Sequence, residues 1–328
     1  MWFKNLYIFN LKESIQTNWT LERLEAQLAE AAFVPCSSVE PRSEGWIAPG
    51  VEADGPLVYS ANGYWLFARK TEQKLIPASV VNERLKEAID VRENKEGRKL
   101  KKTEKEQLKD EIFHTLVTQA FSQSNVIYGY IDTLRNYLVI NTSSRKKAEE
   151  FCNAMRSALG SFKVELPEVQ HVPILMTEWL KQKEFPVGLT PEDQCVIEDT
   201  REGGALKISK QNLLLDEILN FIDHGREVIQ MRFAFRNEIA FGLKEDLSLK
   251  SLKFLEGLQD RASDLFTETA ADRFDADFTL MTESLTELIG FLFKIFKANH
   301  NHQSSNLEIK KMDEVKRLEI SETPFLVE

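Results

Sequence analysis

The sequence predicts a mixed α+β fold in which strand-like and helical stretches alternate along the chain. Short alternating segments flank a turn signal at Asn62-Gly63, and further strand-like runs occur at residues 205–209 and 228–235. Between them, residues 79–121 are charged, poor in glycine and proline, and helical in apolar spacing. With 14 Gly and 10 Pro in 328 residues, the composition disfavours a turn-rich β-barrel.

The first half of the chain predicts strands on either side of two helices. Apolar residues share one face at Val81, Leu85, Ala88 and Ile89, and another at Leu108, Ile112, Phe113, Leu116 and Val117. A polar segment around Gly97 separates the two sets, which predicts two helices joined by a basic elbow. The other predicted elements are a strand in 1–10, a helix over 21–32, a strand–turn–strand over 58–69, strands at 126–131 and 137–141, and a helix over 146–159.

After Pro167 the pattern restarts with a segment that begins at residues 177–180. We expect it to end in an acidic loop that contains Glu192, Asp193, Glu198 and Asp199. In the strand over 228–235, Met231, Phe233 and Phe235 face one way, and Gln230, Arg232, Ala234 and Arg236 face the other. Residues 249–292 predict a long charged helical region, followed by a polar linker and a tail with weak apolar spacing.

Composition and motifs exclude several functional classes. The net charge of −10 and the pI near 5.3 argue against a wholly basic nucleic-acid coat, although a local basic site remains compatible with them. The N-terminus lacks a signal-peptide pattern, and the apolar run at 289–296 is too short for a membrane span, so we expect a cytoplasmic protein. Nucleotide-binding and GxSxG signatures are absent, and Cys36, Cys152 and Cys195 lie far apart. We therefore expect reduced thiols, no cofactor and no metal.

One acidic pair offers an enzymatic alternative. Asp275 and Asp277 are spaced i, i+2, as the carboxylates of a two-metal nuclease on a strand could be. On a helix they would diverge, and acids near a helix start complement its dipole. In that interpretation Phe274 and Phe278 pack at i, i+4.

The strongest physical signal is the basic elbow, defined here as residues 98–109. Its six basic and two acidic side chains give +4, which leaves −14 for the rest of the chain. As one helix it would align Arg98, Lys102, Lys105 and Lys109 in a stripe about 16 Å long. Alternatively, Thr103 with Glu106 forms a capping box that starts a helix near residue 104, and the cations before it would surround a helix N-terminus suited to phosphate. The same run of basic residues is also consistent with a solvated charged helix, or with a scaffold surface that binds an acidic protein partner.

Several blocks of residues together resemble the bacterial RdgC family of recombination-associated proteins. In order, they are Met1-Trp2-Phe3-Lys4-Asn5-Leu6, Ala68-Arg69-Lys70, Arg98-Lys99-Leu100-Lys101-Lys102-Thr103-Glu104-Lys105, Ala120-Phe121-Ser122, and Arg273-Phe274-Asp275-Ala276-Asp277-Phe278 with Leu280-Met281-Thr282. The blocks keep the family's order and spacing over residues 1–292, whereas no matching motif covers residues 299–328.

The resemblance implies a nucleoid-associated DNA-binding protein without marked sequence preference and without catalysis. It implies a ring-shaped homodimer that encircles duplex DNA and restricts the access of the strand-exchange recombinase to that DNA. It leaves open whether the protein also binds single-stranded DNA. By resemblance, residues 76–121 form a tip and 166–265 a base. The centre comprises 1–75, 122–165 and 266–298.

The resemblance also assigns roles to individual residues. The elbow cations Arg98, Lys99, Lys101, Lys102, Lys105 and Lys109 would contact DNA, and the pair Lys210-Gln211 would add to the inner surface. Phe121 would be the tip contact that closes the ring. Its spacing with Phe113 and Val117, i, i+4 and i+8, is equally consistent with a core position.

Overall fold

A computed structural model describes residues 2–169, 171–199, 201, 203–222, 225–258, 260 and 269–297. It contains two sheets built from antiparallel strand pairs, together with helices, which confirms the predicted α+β class. The strands of the first sheet are β1 (Tyr7–Leu11), β2 (Arg42–Ile47), β3 (Tyr59–Ala61), β4 (Tyr64–Lys74), β5 (Ser122–Asp132), β6 (Tyr137–Ile140) and β7 (Val164–Glu165). Those of the second are β8 (Leu189–Asp199), β9 (Ala205–Ser209), β10 (Arg226–Phe235), β11 (Ile239–Lys244) and β12 (Leu249–Phe254).

The helices lie between and beside these strands. They are α1 (Ile15–Asn18), α2 (Leu21–Ala29), α3 (Ala78–Glu96), α4 (Lys102–Gln119), α5 (Arg145–Leu159), α6 (Val172–Gln182), α7 (Asp216–Ile222) and α8 (Ala270–Ile295). Among the helices of the described chain, none combines the length and the apolar character that a membrane crossing requires.

The first sheet has the order β2-β4-β5-β6-β1-β7, with β3 beside β4. The predicted turn at Asn62-Gly63 joins β3 to β4, and both residues have positive φ, 49° and 80°. This turn fits the preference of Asn and Gly for left-handed backbone. One face of the sheet packs through Trp46 and Phe67 against α2 and α5, and the ring of Phe151 on α5 lies 5.2 Å from that of Trp46.

The second sheet has the order β12-β11-β10-β8-β9. The alternation predicted for β10 is confirmed, because Met231, Phe233 and Phe235 are buried on the core side. Helices α6 and α7 cover this side through Met176, Leu180 and Ile218, among others.

Helix α8 unites the two sheets in one apolar core. Thr269 caps its N-terminus by accepting a hydrogen bond from the Asp272 N–H at 3.1 Å. Phe278, Met281 and Leu285 of α8 belong to the same buried cluster as residues from both sheets. A bridge between Leu6 and Leu249 links the sheets directly.

Two sequence predictions in the second half are wrong. The expected acidic loop is instead strand β8, in which Cys195 and Ile197 point inward and Glu198 points outward. Glu192 and Asp193 lie at an irregularity opposite β10, and Asp199 ends the strand in an ion pair with Arg226. The start of the predicted long helix is instead strand β12. Ser251, with a φ of 51°, marks a register shift against β11, and such a bulge interrupts the period-two pattern that identifies a strand. Residues 299–328 lie outside the described residues.

Candidate nucleic-acid interface

A long two-stranded ribbon carries the candidate site. Strands β4 and β5 pair from Tyr64 opposite Asp132 to Lys74 opposite Ser122. Both are buried at the Tyr64 end. Toward the Lys74 end β4 is mostly half-buried and β5 is exposed, so the ribbon extends out of the core. The Leu75 N–H donates to the Phe121 carbonyl oxygen at 2.8 Å, which continues the pairing up to α3 and α4. These two helices form a hairpin at the end of the ribbon.

The helical hairpin has little core of its own. Within it, Val81, Leu100 and Val117 are the buried apolar residues among those described. Most of its other apolar side chains, such as Leu108 and Ile112, are half-buried, and several of them line a groove between the helices, together with the exposed Val91. The hairpin therefore presents mostly polar and charged surface, as its mixed sequence pattern predicts.

The basic elbow begins with a turn rather than continuing one helix. Helix α3 ends at Gly97, whose left-handed conformation (φ 67°) is the usual helix C-cap geometry. Residues 98–101 form the connection, and α4 starts at Lys102. Leu100 is buried, and its N–H donates to Glu93 Oε1 at 2.9 Å. This anchor holds the flanking Lys99 and Lys101 side chains outward, where both are exposed.

The predicted capping box is wrong by two residues. Helix α4 is capped by Glu104, whose Oε2 accepts the Lys101 N–H at 2.7 Å, and not by a Thr103–Glu106 pair. Glu104 is the third helical residue, the position at which a carboxylate reaches back to the N-cap. Its carboxylate therefore binds at the helix N-terminus where the sequence predicted a phosphate site.

Internal ion pairs engage several elbow cations. Arg98 contacts Glu96 at 2.7 Å and Glu104 at 2.7 Å, and Lys105 contacts Glu93 at 3.5 Å. The hydrogen bond from Arg98 lowers the pKa of Glu104 to about 2 and, in return, raises the pKa of Arg98. Lys102 is 4.0 Å from Glu106, with both side chains well exposed, a contact that contributes little.

The remaining elbow cations differ in position. Lys99 and Lys101 have no ion pair with any residue in the described part of the chain, and Lys109 lies about two turns along α4. The structure thus gathers five predicted cations at one end of the hairpin and leaves Lys109 on its flank.

Phe121 is not a core residue. Its side chain is 86% exposed at the point where the hairpin returns to β5, next to Leu75, which is 52% exposed. Val117, one turn earlier, is fully buried, and Phe113 is half-buried. The i, i+4, i+8 spacing therefore does not give Phe121 a core position, because α4 ends at Gln119, before the stripe reaches it.

Lys210 and Gln211 lie on the other sheet. They follow β9 in an exposed bend, where Lys210 has a φ of 57° and the Gln211 N–H donates to the Asp193 carbonyl oxygen at 3.4 Å. The structure therefore does not bring this pair into the basic elbow. The two sets of predicted DNA contacts belong to different elements.

Asp275 and Asp277 belong to helix α8. They lie in its second turn, and the first-turn acid is Asp272. Asp275 accepts a hydrogen bond from the Tyr59 hydroxyl at 2.5 Å, and burial together with this contact raises the pKa of Tyr59. The Phe274 and Phe278 rings stack with centroids 6.4 Å apart, as predicted for a helix. Within the described chain, no group of three or more His, Cys, Asp or Glu side chains could hold a metal ion.

Comparison with known proteins gives consistent matches over nearly the whole chain. A family described as "Putative exonuclease, RdgC" matches residues 1–299. A recombination-associated protein RdgC of Aeromonas hydrophila is 37% identical over 295 residues, covering 89% of this chain and 97% of that protein. The proteins of the same name in Serratia proteamaculans and Yersinia pestis are 36% and 34% identical over 292 and 304 residues, covering 88% and 92% of this chain and 95% and 100% of theirs.

Proposed function

This chain belongs to the RdgC family, and from that premise we propose that it is a recombination-associated protein that binds duplex DNA without sequence preference. The observation that carries the proposal is the exposed basic elbow, at the turn of the helical hairpin that follows the β4–β5 ribbon. Its lysines contact phosphates, which all sequences share, and no base-reading element is needed.

Charge distribution explains how an acidic protein can act in this way. Residues 76–121 contain ten basic and nine acidic side chains, a net of +1, although the basic elbow within them carries +4. The positive charge of the hairpin is therefore concentrated at one end, while the chain outside the basic elbow carries a net charge of −14. A local concentration of positive charge attracts DNA even when the protein as a whole is acidic.

The proposed assembly is a homodimer that closes into a ring around duplex DNA. Phe121 supports this, because a large apolar side chain that is 86% exposed at a projecting end suits an intersubunit contact. A ring on the nucleoid would occupy duplex and thereby restrict the access of the strand-exchange recombinase. Centre, tip and base regions would follow the boundaries expected from the sequence.

We assign the protein no catalytic step, despite the exonuclease in the description of its family. Asp275 is engaged by Tyr59, and on helix α8 Asp275 and Asp277 point to different sides. A two-metal mechanism needs its carboxylates to converge. A nuclease would reveal itself by magnesium-dependent loss of DNA during the binding assay.

A salt series of duplex binding, with the mass of the complex measured in parallel, tests the proposal. If a dimer neutralises about 6–8 phosphates, log K should fall with log salt with a slope of about −5 to −7. Scrambled duplexes should bind equally well. A slope near zero, or a strong preference for one sequence, would refute the proposal, and binding of an acidic protein that duplex fails to displace would favour the scaffold alternative.

A further inference from the structure

The outward side of the second sheet carries a second group of cations. Because Met231 and Phe233 face the core, the residues that alternate with them, Gln230 and Arg232, point to the outward side of the sheet. Strand register places Lys250, Gly242 and Arg232 in one outward row across β12, β11 and β10. A neighbouring row runs from Lys244 through Gln230 and Val196 to Lys207, and Lys253 lies opposite Ala240.

Arg232 holds this face together rather than serving as a free cation. Its guanidinium contacts Glu192 on β8 and donates to the Ser251 carbonyl oxygen on β12 at 3.1 Å. To reach β12 it crosses β11 at Gly242, where no side chain stands in the way. The Arg232 side chain is only 12% exposed as a result.

Four lysines remain for a ligand, and we call them the basic sheet face: Lys207, Lys244, Lys250 and Lys253. Across the described residues none of the four side chains forms an ion pair, whereas Arg98 and Lys105 of the basic elbow do. At about 4.8 Å per strand, Lys207 on β9 and Lys250 on β12 are about 19 Å apart. Lys210 follows β9 at the same edge of the sheet.

Acidic side chains are few within these rows. Glu192 is neutralised by Arg232, and Asp193 is exposed at the irregularity of β8. Glu198 lies further along that strand with Glu227 opposite it, outside the two lysine rows. The centre of the face therefore has an excess of positive charge over a span wide enough to meet several phosphates, since duplex DNA carries one charge per about 1.7 Å of its axis.

The chemistry of the face favours a duplex backbone over a single strand. Its outward residues between the lysines are small or amide-bearing: Gln194, Val196, Gln230, Ala234, Ala240 and Gly242. No aromatic side chain points outward from the described strands β8 to β12, so bases have nothing to stack on. Lysines and amides instead suit phosphate oxygens.

We propose that the basic sheet face is a second, sequence-independent contact surface for the backbone of duplex DNA, separate from the basic elbow. This inference rests on the proposed function and adds to it a surface on the other sheet. It also gives Lys210 and Gln211 a physical context, as the edge of a larger surface and not an isolated pair.

The test replaces Lys207, Lys250 and Lys253 together with Gln. Duplex affinity near 0.15 M salt should fall at least about tenfold, and the salt slope should flatten by about three. The control replaces Lys146, Lys147 and Lys294, three exposed lysines of α5 and α8, and should change neither quantity. Thermal melting should hardly change in either variant, because exposed charges contribute little to folding.

A second measurement uses the unaltered protein. Bound duplex should protect Lys207, Lys250 and Lys253 from acetylation, read by peptide mass spectrometry, more than it protects Lys146 and Lys147. Unprotected sheet lysines, an unchanged salt slope in the folded triple variant, or a larger loss on single strands than on duplex would each overturn the inference. If replacement of Lys99, Lys101 and Lys102 in the basic elbow with Gln weakens binding and the sheet variant does not, the inference alone fails. A wild-type protein that binds no duplex overturns the proposed function as well.

Discussion

Phe121 and Val117 lie one turn apart in sequence and differ completely in environment. Val117 is fully buried against the hairpin, whereas Phe121 follows the helix end and is 86% exposed. Exposing a phenylalanine to water costs free energy that burial at an interface recovers, about 25 cal/mol for each Å² of apolar surface. Burial of the Phe121 side chain against a second subunit would therefore favour association.

Replacement of Phe121 by Ala should leave the melting temperature of the subunit nearly unchanged and shorten its residence on circular duplex. A core Phe→Ala change costs about 3–5 kcal/mol of folding free energy, while truncation of an interface anchor costs more than about 2 kcal/mol of association. Calorimetry measures the effect on folding stability, and the rate of dissociation from circular duplex measures the effect on the contact between subunits.

Val117→Ala provides the matched control for this prediction. Because Val117 is fully buried, its truncation should lower the melting temperature. Early melting of the Phe121 variant, or unchanged retention on circles, would remove the anchor role.

Ion pairs within the protein engage some of the cations of the basic elbow, so fewer positive charges face a ligand than its sequence contains. Arg98 is held by Glu96 and Glu104, and the carboxylate of Glu104 also caps α4. The side chains that extend away from these contacts are those of Lys99, Lys101 and Lys102, of which only Lys102 has a weak partner. We expect the affinity contributed by this element to come mainly from these three.

Replacing Lys99, Lys101 and Lys102 together with Gln should weaken binding to all duplex sequences alike. The salt slope should flatten by about three, because each lysine that neutralises a phosphate contributes about one. Fluorescence anisotropy over a range of salt concentrations measures both. The α5 and α8 lysine variant is again the control, and an unaltered affinity in the folded elbow variant would contradict the assignment.

On the scale of the whole molecule, positive charge is divided between two separate surfaces. The basic elbow lies at the turn of the helical hairpin that extends from the first sheet, and the basic sheet face lies on the second sheet. Helix α8 packs against both sheets in one core, so it fixes them relative to each other. In a ring-shaped dimer, two such surfaces in each subunit would surround an enclosed duplex.

A closed ring predicts topological retention on DNA. Protein loaded on circular duplex and then placed in high salt should remain bound, because salt screens phosphate contacts but does not open a ring. Cutting the circle once should release it from the free ends. Release at equal rates from circles and cut circles would contradict the closed ring, and the Phe121→Ala variant should behave in this way.

The sequence by itself determined the elements whose signals are local. The Asn62-Gly63 turn, the helices on either side of Gly97 and the two faces of β10 follow from turn chemistry and apolar spacing among near neighbours. The positive charge of the basic elbow and the family resemblance are equally readable from consecutive residues.

Only the tertiary structure decided which side chains are paired, buried or aligned. The bulge in β12 depends on its register with β11, the ion pairs of Arg98 require the elbow to fold back, and Phe121 is exposed because α4 ends before it. The basic sheet face brings together lysines that are more than forty residues apart in the chain, from Lys207 to Lys253. Such arrangements depend on pairing between distant strands, which no local pattern encodes.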